Sequence, residues 1–567
     1  MAASGNAANP GRDAPRQFKT RRGFSLSYQG KTLLSTVDPQ GQAERLAGVV
    51  PVLGRTLYLC PSPLYGYGLP RLLERIGDDS AILCVEQDDQ LLALSAEAMG
   101  DLLQENSKLR LTKAEKPESL CAYVRRTWGS RRFRRLEVIR LSGGWQLAPE
   151  RYETLAEVLR REIALDWSNA LTLVKLGRRY LRNALRNLGL IPSTPSLDEL
   201  SFGGAPALVL GAGPSLDGVL DGLTKRLKDE RLSGDSRRFK IICVDTALPA
   251  LKAMNIKPDL AVALESQHWN LRDFIGLGDW SVPVAMDLSA LPATGETLGG
   301  RPYLFFTPWA SLGIFKRLEA AGLLPEPFPP LGSVGLTAAA LARRLTSGPI
   351  LIGGIDFSFT IDSFHARSAP SRQERLRRQN RFLSLISGES AFRRGTFATL
   401  SKTGLPVRSD PALRGYRDLF EREFSRDPRF RDIAGSGLPL GLEIVDQEAA
   451  FDLLEGAGIE QTPAIRGKPS SRLPPSGLKP ALEAFIHRER EALITLRGIL
   501  LGEIAPAPEA LERLLDECGY LWAHFPDCAG AEGRRPPGTD LSFLKRVRAE
   551  IDPCVTIFDA VRSMIPG

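Results

Sequence analysis

In the middle of this 567-residue chain, polar residues able to do chemistry follow directly on short apolar runs. Ala207–Leu210 leads into Gly211-Ala212-Gly213-Pro214-Ser215. Four apolar residues bounded by glycine and proline are too short for a helix and predict a buried strand. The glycines let an anion approach the backbone, and Ser215 stands at the N-cap of a helical pattern that starts at Leu216. Such a turn predicts a phosphate site, because the free N–H groups of the first helical turn point at the anion. Three carboxylates obey the same rule of position: Asp245 after FKIICV, Glu265 after LAVAL and Asp356 after ILIGGI. His365 lies in the polar loop IDSFHARS and is one of only four histidines. Its side chain titrates near neutral pH, which makes it the best-placed general base here, and Arg367 nearby is expected to lower its pKa.

These residues need elements to hold them. Between 201 and 445, apolar strand patterns (Phe239–Val244, Leu260–Leu264, Val282–Met286, Tyr303–Phe306, Ile350–Ile352) alternate with helical ones (Leu248–Met254 and a run capped by Ser333). That alternation predicts an α/β domain with a Rossmann-like parallel sheet, whose ligands sit beyond the carboxyl ends of the strands. Before it, 23–149 predicts a smaller Rossmann-like domain. There the strands Thr56–Cys60 and Ala81–Val85 flank Gly66-Tyr67-Gly68, and Glu86 ends the second strand where a ribose could be held. Residues 1–22 read as a disordered tail, 150–200 as a helical bridge, 446–479 as a linker and 480–567 as a helical C-terminal region. The arginine-rich stretch 371–385 is either a solvated helix face or a lid whose arginines meet the carboxylate of an acidic sugar.

Composition narrows the classes. Hydrophobic residues at 43% and charged residues at 25% are ordinary globular values, and a net charge of +8 suits an anionic ligand. Arginines crowd around Trp128, but no nucleic-acid-binding motif accompanies them, so nucleic acid is not an expected partner. Seven scattered cysteines without a CxxC pair predict reduced core thiols and a cytoplasmic home. No apolar run is long enough to predict a membrane span.

Four stretches together, GAGPSL (211–216), VDTALPALKAMNIKPDLAVALESQ (244–267), LGSVGLTAAALA (331–342) and GGIDFSFTIDSFHA (353–366), resemble the motility-associated factor proteins. These are bacterial flagellin glycosyltransferases whose central domain is related in fold to sialyltransferases. The same order of motifs occurs in archaeal 6-hydroxymethylpterin diphosphokinases, so the resemblance reaches a shared superfamily. It implies transfer of a nonulosonic acid from a CMP-activated donor to serine or threonine of flagellin. Residue by residue, it implies that Gly211, Gly213, Pro214 and Ser215 hold the nucleotide phosphate and that Asp245 and Thr246 face the ribose or base. Glu265, Gln267 and Ser333 would meet the substrate, and His365 and Asp356 would carry catalysis. A buried acid bonding backbone amides is the other reading of Asp356. The diphosphokinase branch, which uses ATP and Mg²⁺, has two aspartates where this chain has Glu265 alone, so Glu265 is the one candidate for Mg²⁺. The alternatives are therefore a diphosphokinase-like enzyme or a non-catalytic flagellar assembly module.

Overall fold

The computed structural model describes residues 14–113, 116–129, 132–228, 237–278, 280–384, 393–456, 472–505, 507–528 and 535–565. They fall into two compact units, one of residues 1–175 with 523–537, the other of 176–522 with 538–567.

The first unit opens with an antiparallel sheet of β1 (Arg16–Lys19), β2 (Phe24–Tyr28) and β3 (Lys31–Thr32). Ordered strand therefore begins inside the stretch expected to be a tail. Helix α1 (Pro39–Val49) follows, capped by Asp38 through the Gly41 N–H. The main sheet is parallel, in the order β6-β5-β4-β7, from β4 (Thr56–Pro61), β5 (Ala81–Glu86), β6 (Leu109–Lys113) and β7 (Arg135–Val138). Its alternation is plain: Leu57, Leu59, Leu83 and Val85 bury on one face, Tyr58, Cys60, Ile82 and Cys84 on the other. Helix α2 (Leu69–Arg75) starts at Gly68, whose φ is +82° and whose added Cβ would lie 2.5 Å from the Ala43 carbonyl oxygen. Glycine is needed there because α1 passes against the turn.

Helix α3 (Pro149–Asn187) is 39 residues long, and the division between units falls within it. Most of the helical bridge expected over 150–200 is this one helix, followed by short 3-10 turns at Leu188–Leu190 and Leu197–Glu199.

The second unit is built on a nine-stranded, wholly parallel sheet. Its strands are β8 (Ala207–Leu210), β9 (Lys240–Val244), β10 (Leu260–Ala263), β11 (Val282–Asp287), β12 (Gly299–Phe306), β13 (Glu326–Pro327), β14 (Ile350–Gly353), β17 (Phe430–Ile433) and β18 (Glu443–Val445). A short antiparallel pair, β15 (Phe397–Leu400) and β16 (Pro406–Ser409), stands outside it. The order is β13-β12-β11-β10-β9-β8-β14-β17-β18. From β8 the chain adds strands outward in one direction as far as β13, then returns to place β14 on the other side of β8. A parallel sheet splays its connections apart where the direction reverses, which opens a crevice at the carboxyl ends of β8 and β14. The helices that matter there are α4 (Leu216–Lys228), α5 (Val334–Leu345) and α6 (Pro370–Arg378).

Past the sheet, α7 (Gln447–Gly456) buries Ala450, Phe451 and Leu454 and packs on α4, so the first third of the expected linker is helix. The next part of that linker, 457–471, lies outside the described residues. The C-terminal helices α8 (Pro475–Leu501) and α9 (Leu541–Met564) pack against each other, as the helical reading expected, with α8 beginning five residues early. All seven cysteines are buried. Among the described residues no helix is long and apolar enough to cross a membrane.

Candidate functional site

The crevice between β8 and β14 is a cleft of about 220 Å³. Gly211–Gly213 and Gly354–Ser358 form two walls, Val244–Thr246 a third, and Ser333–Gly335, Phe364, His365 and Leu413 complete it. Of the expected site residues, Gly211, Gly213, Asp245, Thr246, Ser333, Asp356 and His365 line this one space. Pro214, Ser215, Glu265 and Gln267 do not.

Asp356 ties the two walls together. It is buried, its Oδ2 accepts the Ser215 N–H at 2.7 Å and its Oδ1 accepts the Ser215 hydroxyl. Burial raises its pKa, against the Ser215 bonds and the charge of Lys402, which lower it. The Gly213 N–H donates to the Gly354 carbonyl at 2.8 Å, and the Gly211 N–H to that of Gly353. The expected anion position at the start of α4 is therefore occupied by a protein carboxylate, and the Ser215 hydroxyl does not cap its own helix. The reason is the close approach of the two loops: a Cβ on Gly213 would stand 2.5 Å from Asp356 Oδ2 and 2.8 Å from the Gly354 oxygen. Gly213→Val should accordingly destabilise the fold by the roughly 1–3 kcal/mol typical of overpacking, seen as a lower melting temperature, rather than act on binding alone.

A different helix offers its N-terminus to the cleft. Ser333 has extended N-cap dihedrals but makes no side-chain capping bond. It lines the cleft with Val334 and Gly335, the first residues of the twelve-residue α5. No hydrogen-bond partner exists for the N–H groups of Val334 and Gly335 among the described residues. Unpaired first-turn amides and the helix dipole favour an anion there.

Asp245 ends β9 and is fully enclosed. Its Oδ1 accepts the Thr246 N–H at 2.8 Å and its Oδ2 accepts from Asn270 Nδ2 at 3.1 Å, while Thr246 Oγ1 donates to Asp273 at 3.1 Å. Burial first, and the neighbouring Asp273 second, push its pKa up to about 7. A carboxyl raised above its unfolded value binds a proton in the native state that the unfolded chain has already lost. Its stabilising contribution is present at low pH and is lost as the pH rises from about 4 through about 7. Asp245→Ala should abolish that part of the fall in melting temperature, measured by pH-resolved thermal denaturation. Asn270 and Asp273 were not singled out in the sequence; they belong to a short helical turn that begins at His268.

Glu265 and Gln267 stand at the end of β10, outside the cleft, where Glu265 Oε1 accepts the Gln267 N–H at 3.0 Å. Among the described residues no group of three or more His, Cys, Asp or Glu side chains could hold a metal ion.

His365 is partly buried at the cleft edge. Its Nδ1 lies 3.2 Å from the Ser371 hydroxyl of α6, and its Nε2 makes no hydrogen bond within the described residues. Desolvation, then the guanidinium groups of Arg272 and Arg375, hold its pKa down to about 4. The residue expected to do this, Arg367, instead faces Asp217 and Asp221. Arg372, also on α6, donates to the Ser363 hydroxyl and to the His365 carbonyl, fixing the loop. Phe364 lies between Phe359 and the His365 ring, tilted against both. Phe357, in the wall itself, has φ of +48°, a left-handed conformation that a bulky residue adopts at a cost of about 1–3 kcal/mol.

Behind Asp356 lies a pair with no local signature in the sequence. Lys402, in the β15–β16 hairpin, forms an ion pair with Asp432 on β17, and both side chains are almost wholly buried (2% and 0% exposed). Lys402 Nζ also donates to the Ile433 carbonyl at 3.0 Å.

Residues 178–362 match the model of the 6-hydroxymethylpterin diphosphokinase MptE-like family. This stretch is similar to that family. It contains every cleft wall except Phe364, His365 and Leu413, which follow it. A solved structure, that of MAf glycosyltransferase from Magnetospirillum magneticum AMB-1, is similar over 98% of this chain and 92% of its own, with a TM-score of 0.54 and 15% identity. The chain thus shares that fold along nearly its whole length, in line with the resemblance read from the four motifs. An uncharacterized protein of Treponema pallidum (strain Nichols) is 29% identical, covering 97% of this chain and 96% of its own.

Proposed function

We propose that this protein is a cytoplasmic glycosyltransferase that moves a nonulosonic sugar from a CMP-activated donor to a serine or threonine hydroxyl of flagellin. The observation that carries the reading is one cleft, at the reversal point of the sheet, that joins unpaired helix-start amides to a neutral histidine. Fold likeness to a MAf glycosyltransferase supports it. In this reading the donor phosphate lies against the first turn of α5, backed by Gly211–Gly213, and Asp245 and Thr246 face the nucleoside. The bond between the sugar's anomeric carbon and the phosphate oxygen breaks, and CMP leaves with its charge held by the Val334 and Gly335 amides. The acceptor oxygen bonds to that carbon, and its proton passes to His365 Nε2. Asp356 does not touch substrate in this scheme; it is a positioning residue that locks Ser215 and the two loops.

Titrating the protein with CMP, CDP and ATP, each with and without Mg²⁺, tests the reading. Tight CMP and CDP binding indifferent to Mg²⁺ is expected. Mg²⁺-dependent ATP binding in their place would favour the diphosphokinase reading, and no nucleotide binding at all would favour an assembly module.

A further inference from the structure

The first unit repeats, on a smaller sheet, the topology that makes the central cleft. From β4 the chain adds β5 and β6 outward on one side and then places β7 on the other side of β4. Its own crevice must open at the carboxyl ends of β4 and β7. A cavity of about 450 Å³ lies there, reached by Pro61, the last residue of β4, and Val138, the last of β7. This unit lies outside the MptE-like match, which begins at residue 178.

The cavity lining has a definite chemistry. Trp145 offers an aromatic face, with the Arg140 guanidinium 4.4 Å from its ring centre. Arg160, from the third turn of α3, is exposed and has no partner among the described residues. Glu153, which Arg140 meets at 3.2 Å, supplies an acceptor at the rim. Tyr152 closes the floor, and its hydroxyl donates to Glu86 at 3.0 Å, at the end of β5. Glu86 is buried at 1% exposure, and its Oε1 also accepts the Gln87 N–H at 2.8 Å and the Asp88 N–H at 3.2 Å. Burial raises its pKa.

The backbone around this crevice is strained where the strand ends. Ser62 and Leu64, directly after β4, both have left-handed φ (+49° and +53°). Neither is glycine, and such outliers cluster where a binding surface over-determines the chain. Gly144 packs so closely on Ser62 that an added Cβ would collide with the Ser62 hydroxyl, and the Ser142 hydroxyl donates to the Ser62 carbonyl at 2.6 Å, which ties the β4 and β7 loops together.

We infer that the crevice between β4 and β7 is a second nucleotide site, binding a nucleoside mono- or diphosphate. The base stacks on Trp145, the phosphate meets Arg140 and Arg160, and a ribose hydroxyl bonds Glu153. Aromatic stacking and guanidinium–phosphate contacts are the two interactions such a ligand needs.

Hydrogen exchange on the full chain in millimolar CMP, CDP, ADP or GDP locates the site. At least one of these should protect 138–153, separately from any protection at 333–337 and 364–366. The double variant Arg140→Ala/Arg160→Ala, changed only at exposed side chains, should raise the Kd for that protection about tenfold or more. Trp145→Phe should weaken it less than Trp145→Ala. Absence of protection at 138–153 with all four nucleotides overturns the inference, as does protection that the double arginine variant leaves unchanged. Protection at 333–337 alone would leave the proposed function standing and remove this second site.

Discussion

His365→Ala should keep nucleotide affinity and lose sugar transfer by about a hundredfold or more, the usual scale for a removed general base. The separation is expected because His365 comes from the loop after β14, whereas the amides assigned to phosphate belong to the first turn of α5. The pH dependence gives a second readout. With a pKa held down to about 4, the ring is neutral across the physiological range. In the free enzyme kcat/KM should then stay flat down to about pH 5 and fall below it, and the variant should lack that limb. A bound phosphate nearby would favour the imidazolium, so the limb of kcat should lie at higher pH than that of kcat/KM. Stability should move as well. The folded pKa lies below the ordinary 6.5, so the unfolded chain takes up its proton first as the pH falls. The stability tied to His365 is present above about 6.5 and is lost on the way down to about 4, and His365→Ala should remove that slope. Transfer at the wild-type rate in the variant would move the base elsewhere.

Lys402→Met should be the most destabilising single change at the site, costing about 3–5 kcal/mol, the range for breaking a buried ion pair from one side. Asp432 would remain with no countercharge, at 0% exposure. Even beside Lys402 its carboxyl is raised to about 6 by burial. Without Lys402 it should titrate higher still. A carboxyl raised above its unfolded value gives up stability as the pH rises, so the deficit of the variant should grow between about pH 5 and 8. Urea denaturation across that range measures it. Lys402→Met/Asp432→Leu should recover most of the loss, because removing both partners leaves no uncompensated charge. A small, pH-independent deficit would show that Asp432 finds water or another donor.

The central strands β8, β9, β10, β11 and β14 were legible almost to the residue because they are buried and read as apolar runs between breakers. By contrast, β12 begins four residues before its expected start, and the outer strands β13, β17 and β18, short or partly exposed, were not anticipated. Ala207–Leu210 begins and ends where its pattern does, and Leu260–Ala263 and Ile350–Gly353 differ from expectation by one residue. Residues at the strand ends were legible for the same reason, since the fold assembles such ends at one edge: hence Asp245, Asp356 and the glycine turn. Partnership was not. That Asp356 would take the Ser215 amide depends on β14 returning beside β8, 141 residues later. Lys402 and Asp432 come from two separate elements, neither with a pattern that points to the other. His365 was visible as a candidate, but its depressed pKa comes from Arg272 and Arg375, not from the adjacent Arg367. Helix Gln447–Gly456 was hidden by the glycine-rich composition just beyond it.

The buried thiols make this chain a convenient object for labelling. Every one of its seven cysteines is enclosed in the folded units, and burial raises the pKa of Cys84, Cys121, Cys243, Cys518 and Cys554. Thiol reagents attack the thiolate, so the native protein should react slowly at neutral pH while the unfolded chain reacts at seven positions. The rate of modification then counts openings of the fold without any added probe. It also means that a single cysteine placed on an exposed position of α6, such as Arg378, would carry a fluorophore with little background. Its emission as donor and acceptor are added would report any displacement of that helix.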